Sequence, residues 1–219
     1  TISVPGGSCS GNQEYNIHYG ANLVSYPFYN SQSISTALPA EIQGTVYGII
    51  GELTAAHFQE DGTWAGSLMD FQPQKGYWFI SSDDFDFTYN SPTDDLARDE
   101  DDFNQQERDT RELFTSFGIE LSTVSSFYFL EEGMVENTPL TDNDLLIARC
   151  NGEIVGIKNW VGEYSDIPVM GFDGRDETVG YCEIGDTVEL YFVNEDGIEY
   201  KLNGQIETFN PNSIHMVNT

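Results

Sequence analysis

The sequence predicts a mainly β protein: a small α+β module at the N-terminal end, an acidic helical connector, and an antiparallel β-sandwich at the C-terminal end. Three observations predict it. Short runs of β-branched and aromatic residues recur along the chain, separated by Gly, Pro, Asn and Asp, which is the composition of strands and turns. Asn151-Gly152, Asp196-Gly197 and Asn203-Gly204 each stand between two such runs, the strongest short-range hairpin signal. Between Asp83 and Glu112 the composition changes to twelve acidic residues and three arginines, and from Thr93 the apolar spacing becomes helical.

Residues 1–20 read as an N-terminal extension. Thr1-Ile2-Ser3-Val4 alternates polar and apolar side chains before Pro5-Gly6-Gly7 ends the run, and Tyr15 to Tyr19 is a second β-like stretch. A terminal strand frays unless a sheet pairs with it. Thr1, Ile2, Ser3 and Val4 are therefore a candidate donor strand, for the chain's own sheet or a neighbour's.

Residues 21–92 read as the α+β module. Strands are expected over Asn22–Phe28, Thr45–Leu53, Trp64–Leu68 and Gly76–Ile80, with Pro73-Gln74-Lys75-Gly76 supplying turn chemistry. Ser33 is placed to cap a short helix bearing Ile34, Ala37 and Leu38 on one face, which Pro39 cuts off. Asp83 to Phe87 alternates as a strand edge does.

Residues 93–118 read as the connector. Asp94 and Asp95 suit a helix N-terminus. Leu96, Phe103, Thr110 and Phe117 recur every seven residues, Leu113 and Phe114 widen that stripe, and Glu107 and Arg111 are spaced for an i,i+4 pair. The expectation is a solvent-exposed helix docked by a narrow apolar stripe.

Residues 119–219 carry seven expected strands: Ser122–Leu130, Leu145–Cys150, Glu153–Asn159, Glu177–Cys182, Thr187–Val193, Ile198–Leu202 and Gln205–Phe209, with a wide loop over Val161–Glu177. Short strands with a turn roughly every 8–12 residues predict an immunoglobulin-like antiparallel sandwich.

The bulk composition narrows the function. A chain of 219 residues with 39% hydrophobic and 13% aromatic content can bury a core, so its acidity does not signal disorder. The net charge of -29 argues against nucleic acid and anionic membrane surfaces. No run of 18 apolar residues exists, so no helical membrane span is expected. A chain beginning with Thr1 reads as a processed form whose signal peptide has gone or as one that starts at its first ordered residue, and the Thr-, Ser-, Asn- and Tyr-rich, Lys-poor composition agrees with an extracellular location. Of three cysteines, Cys150 and Cys182 lie on neighbouring expected strands and form the candidate disulfide, leaving Cys9.

Candidate chemistry is sparse. His18, His57 and His215 are scattered, without the spacing of a zinc site or a triad. Asp142 and Asp144 on one loop, and Asp173 with Asp176 on another, offer oxygen ligands for calcium, but no complete EF-hand loop occurs. Trp64, Trp78 and Trp160 read as core residues; exposed beside Asn or Asp, they would instead suit a sugar platform.

Several segments carry a resemblance. Val155 to Trp160, Asp166 to Gly174 and Thr178 to Tyr181 resemble a β-sandwich module of predicted secreted proteins of aquatic bacteria, with Ser122 to Phe129 similar to its opening strand. Asn22 to Pro27, Tyr47 to Glu52, Trp64 to Leu68 and Gly76 to Trp78 are similar to a companion unit of those proteins. Related modules tend to carry a cysteine where Ile154 stands here. The layout also resembles protomers of pilus-like extracellular fibrils that assemble by donor-strand exchange. These resemblances imply no catalytic residues. They imply a non-enzymatic structural subunit at the bacterial cell surface, whose partner is a second copy of itself in a helical filament. A monomeric carbohydrate-binding or adhesion module is the alternative.

Overall fold

The computed structural model describes residues 13–92, 105–131, 134–135, 138–141 and 144–217. The first part supplies β1 (Tyr15–Ile17), β2 (Gly20–Ser25), β3 (Gln32–Ser33), α1 (Ile34–Ala37), β4 (Val46–Ile50), β5 (Ala55–Phe58), β6 (Trp64–Gly66), β7 (Asp70–Phe71), β8 (Gly76–Ser81) and β9 (Phe85–Phe87). An antiparallel five-stranded sheet in the order β2-β8-β4-β5-β6 is its frame, with the short pairs β1-β9 and β3-β7 beside it.

Side-chain alternation gives this sheet two apolar faces. In register, Val24 with Tyr77, Phe79 with Ile49, and Ile49 with Ala56 point to one face. They join Ile34, Ala37 and Leu38 of the α1 region in a core built largely from Tyr26, Phe71, Tyr77, Phe79, Phe87 and Tyr89, whose ring centroids lie 4.9–6.3 Å apart. Ala21, Trp78, Ile80, Ile50 and Ala55 point to the opposite face. Ser33 does stand at the N-cap of α1, but its hydroxyl meets Thr36 Oγ1 at 2.7 Å instead of a helix amide.

The helix α2 (Gln105–Phe117) follows, then β10 (Ser125–Leu130), β11 (Met134–Val135), β12 (Thr138–Pro139), β13 (Leu145–Cys150), β14 (Glu153–Asn159), β15 (Ser165–Met170), β16 (Glu189–Val193), β17 (Glu199–Lys201) and β18 (Ile214–Val217). β11 and β12 form a small hairpin. The other seven make two sheets, β15-β10-β18 and β14-β13-β16-β17. Asn151 and Gly152, with φ of 52° and 90°, make the tight β13–β14 hairpin that the Asn-Gly pair predicts.

The three-stranded sheet is a middle layer. On β10, Phe127 and Phe129 join Ile50, Ala55 and Ile80 of the five-stranded sheet, while Tyr128 and Leu130 join the core shared with the four-stranded sheet. Burial on both faces explains why Phe127-Tyr128-Phe129-Leu130 is a continuous apolar run with no alternation. Two glycines permit the layers to close. A Cβ on Gly48 would lie 2.5 Å from Ile214 Cδ1, and one on Gly66 would lie 2.7 Å from Phe129 Cε1.

Several sequence expectations are corrected. The loop over Val161–Glu177 contains β15, buried along its whole length. Asp166 and Pro168 disguised it. Phe127 N–H donates to Ser213 O on the β18 side, so Phe127 and Pro168 form a non-hydrogen-bonded pair, and the missing proline N–H takes nothing from the ladder. The strand expected over Glu177–Cys182 is a 3-10 turn at Asp176–Thr178 and a single bridge from Cys182 to Gly171. The run Gln205–Phe209 forms no strand: it crosses from one sheet towards the other, pinned by Phe209 N–H to Asp186 O and by Tyr128 Oη–H to Glu207 O. Strands β5 and β18 lie where none was expected. The helix keeps Thr110 and Phe114 buried but leaves Phe117 45% exposed, so the apolar stripe is shorter than its seven-residue spacing implied. Leu96 and Phe103 lie outside the described residues.

Candidate functional site

The most heavily constrained polar group joins all three layers. Asp166, on β15 of the middle sheet, is fully buried, and so is Lys158 of β14 in the four-stranded sheet. Lys158 Nζ donates to Asp166 Oδ2 at 3.0 Å and to Ser67 Oγ at 2.7 Å. From the first module, Ala55 N–H donates to Asp166 Oδ2 at 3.2 Å, Ser67 N–H to Oδ1 at 2.9 Å, and the Ser67 hydroxyl to Oδ2 at 2.7 Å. Burial pushes the Lys158 ammonium below its usual pKa, and the adjacent Asp166 opposes that push. Bonded across modules and shut off from solvent, the junction is a lock between modules.

The helix α2 is a second strap. Lys75 Nζ meets Glu107 at 2.7 Å, and Arg111 meets Glu52 at 3.0 Å and Glu107 at 3.4 Å. Leu53, at φ 67° in the turn after β4, is buried in the same apolar cluster as Phe114 of α2 and Ile147 and Ile157 of the four-stranded sheet. The first module thus reaches into the sandwich core through one left-handed leucine, at a conformational cost that its burial offsets.

Cys150 and Cys182 are bonded, with Cα atoms 5.5 Å apart. Cys150 ends β13, and Cys182 bridges to Gly171 just after β15, so the bond staples the two sheets of the sandwich at one end. Such a bond belongs to an oxidising compartment. Among the described residues, no helix is long and apolar enough to cross a membrane.

Of the calcium candidates, Asp144 and Asp173 are engaged by the protein's own donors. Asp142 lies outside the described residues. Asp144 accepts from Thr141 N–H at 2.6 Å and from the Thr141 hydroxyl at 3.2 Å, closing its own turn. Asp173 accepts from Thr178 Oγ1 at 2.8 Å, Thr123 N–H at 3.2 Å, and Arg175 through both its amide and its Nε. Burial works against the Asp173 carboxylate, but those hydroxyl, amide and guanidinium donors hold it well below the usual range. A cation there would have to displace Arg175. Asp176 is exposed in the 3-10 turn. Among the described residues, no group of three or more His, Cys, Asp or Glu is placed to hold a metal ion.

Thr1, Ile2, Ser3 and Val4, the candidate donor strand, lie outside the described residues, as does Cys9. Trp64 and Trp160 are buried and Trp78 is half-buried, so none is a free sugar platform. His57 packs by Phe129 and His215 stacks on Tyr128, on opposite faces of β10. A groove of 720 Å³ runs beside Phe117, Arg149, Ile154, Val179 and Tyr191; the Arg149 guanidinium is paired with Glu199 and lies 4.9 Å from the Tyr191 ring centroid.

Sequence reasoning missed the edge of the middle sheet. β18 is an outer strand, hydrogen-bonded to β10 alone among the described strands. Phe127 N–H to Ser213 O sets the parallel ladder so that Ser213, His215 and Val217 face β10, which turns the amides and carbonyls of Ile214 and Met216 outward. The Ile-His-Met-Val alternation was the signal available for this strand.

No family model, curated protein or solved structure matches this chain. What the fold defines is a class: a mainly β, multi-sheet protein cross-linked by a disulfide.

Proposed function

We propose that the chain is a non-enzymatic structural subunit of a pilus-like extracellular fibril at the bacterial cell surface, in which a strand from one copy pairs with the body of the next. The observation that carries this reading is the narrow middle layer: three strands sit between sheets of five and four, and β18 ends that layer with one edge unpaired among the described strands. An open edge is an aggregation hazard unless something fills it, and strand addition fills it with main-chain hydrogen bonds and alternate side chains. Head-to-tail repetition of such a contact generates an open helical filament. The three-layer body suits load-bearing, since its modules are locked by the hydrogen bonds of Asp166 and Lys158 to Ala55 and Ser67, and its sandwich is stapled by Cys150–Cys182. The resemblance to donor-strand-exchange protomers supports the same reading, with Thr1 to Val4 as the donor. The net charge of -29 sets copies against one another at low ionic strength, so assembly is expected to strengthen with salt.

The test is electron microscopy of the full chain beside a variant lacking residues 1–8. Ordered filaments from the first and monomers from the second are expected. A full chain that stays monomeric at high concentration overturns the proposal. The groove beside Tyr191 then becomes the place to titrate glycans, under the alternative of a carbohydrate-binding or adhesion module.

A further inference from the structure

The layers overlap in a way that locates the acceptor site. Phe129 of β10 packs over Gly66 of β6 and its neighbour Ala55 of β5, and Asp166 of β15 holds the amides of Ala55 and Ser67. Ile214 of β18 packs over Gly48 of β4. The middle sheet thus advances across the five-stranded sheet from β6 towards β4 and stops there. The sheet beneath continues by two strands, β8 and then β2. On the face turned towards the middle layer, those strands present Trp78, half-buried, and Ala21 and Leu23. Leu23 is 66% exposed although it is a central residue of a six-residue strand. Ile214 and Met216, both half-buried, border the same space and turn into it backbone groups that no described strand pairs.

We infer that this shelf, floored by Ala21, Leu23 and Trp78 and walled by the outer edge of β18, receives Thr1–Val4 of a second copy as the fourth strand of the middle sheet. The inference rests on the fibril reading above. Three features favour this occupant. Neighbouring strands lie about 4.7–4.9 Å apart, so a strand added beside β18 sits over the floor that Ile214 leaves bare. β18 has four residues, and Thr1-Ile2-Ser3-Val4 supplies four. The floor is apolar, and Ile2 and Val4 fall on one face of the donor, which sets them against Trp78 and Leu23 and turns Thr1 and Ser3 to the other side. The acceptor is then the gap between the modules, formed jointly by the sandwich and the five-stranded sheet, and not the sandwich alone.

Two variants and one trapping experiment test it. Leu23→Glu puts a charge where Ile2 or Val4 would bury it, and is tolerated by the monomer because Leu23 is already exposed. It should raise the concentration needed for filaments about tenfold or more, each tenfold being about 1.4 kcal/mol. Ile184→Glu, at an equally exposed residue of the other module, should leave assembly unchanged. In a Cys9→Ser background, mixing an Ile2→Cys chain with a Leu23→Cys chain should give an oxidised heterodimer. Filaments that form normally with Leu23→Glu, or the absence of that cross-link in filaments, overturn the acceptor site while the fibril reading stands. A cross-link that forms only within one chain carrying both cysteines, in a protein that remains monomeric, overturns both.

Discussion

Replacing Asp166 with alanine should be among the most damaging single changes in this protein. The carboxylate is fully buried and takes three donors from the first module and one from Lys158. Its removal leaves Lys158 Nζ, 2% exposed, with only Ser67 Oγ as a partner, takes the carboxylate acceptor from the Ser67 amide, and leaves the Ala55 amide only its 3.4 Å contact with Ser67 Oγ. Breaking a buried pair by deleting one partner costs about 3–5 kcal/mol, since the remaining charge is uncompensated. Loss of these amide bonds adds to this, but these groups act as one network and the costs do not sum. With a urea slope of about 2–3 kcal/mol/M for a chain of this size, the midpoint should fall by roughly 1–2 M. Tryptophan fluorescence reports the transition, because Trp64, Trp160 and Trp78 sit in three different apolar clusters. Lys158→Met should cost less than Asp166→Ala, because Asp166 keeps its donors from Ala55 and Ser67. A loss below about 1 kcal/mol for Asp166→Ala, the range of exposed pairs, or the reverse ranking of the two variants, would refute the idea that this junction locks the layers.

Other outcomes follow from the same geometry. Gly156→Ala should destabilise by about 1–3 kcal/mol or more in urea melts, because a Cβ would lie 2.1 Å from the Pro168 carbonyl oxygen, where β14 and β15 close one side of the sandwich. Reduction of Cys150–Cys182, which closes a separation of 32 residues, should lower stability by about 2–4 kcal/mol in the same assay and leave the secondary structure measured by circular dichroism intact at room temperature. Burial raises the phenols of Tyr26, Tyr89 and Tyr128, and raises Tyr77 to about 12. Raised folded values contribute stability that is complete below the ordinary phenol pKa and is lost as pH rises through the folded values, so ultraviolet titration should show tyrosinate appearing together with alkaline unfolding. Asp173 is depressed, so its contribution is present above the ordinary carboxylate range and is lost as pH falls below it. Asp173→Asn should flatten the acid limb of a stability–pH curve, and an unchanged limb would show that its donors do not hold the turn.

What could be read from the chain was whatever depends on neighbours in sequence. The Asn151-Gly152 hairpin, the short helix closed by Pro39, the Glu107–Arg111 pair and the runs at Val46–Ile50, Gly76–Ser81 and Glu153–Asn159 all follow from local sterics and spacing. The pairing of Cys150 with Cys182 was expected from two neighbouring strands, but Cys182 lies on a single bridge to Gly171 and not on a strand, so the bond forms through a contact that the local pattern did not show. Tertiary structure alone decided the rest. β15 was hidden because Asp166 and Pro168 are loop residues by composition, and a buried aspartate is tolerable there only with Lys158 of β14 and the donors of Ala55 and Ser67, partners that the fold brings to it. Gln205–Phe209 has the pattern of a strand, yet its anchors at Asp186 and Tyr128 draw it across the sheets. The middle layer lies beyond any local signal, since its two buried faces depend on which sheets stack against it. Alternation in Ile214–Val217 tells that two faces exist, and only the packing of Ile214 on Gly48 tells where the layer ends and leaves Leu23 uncovered.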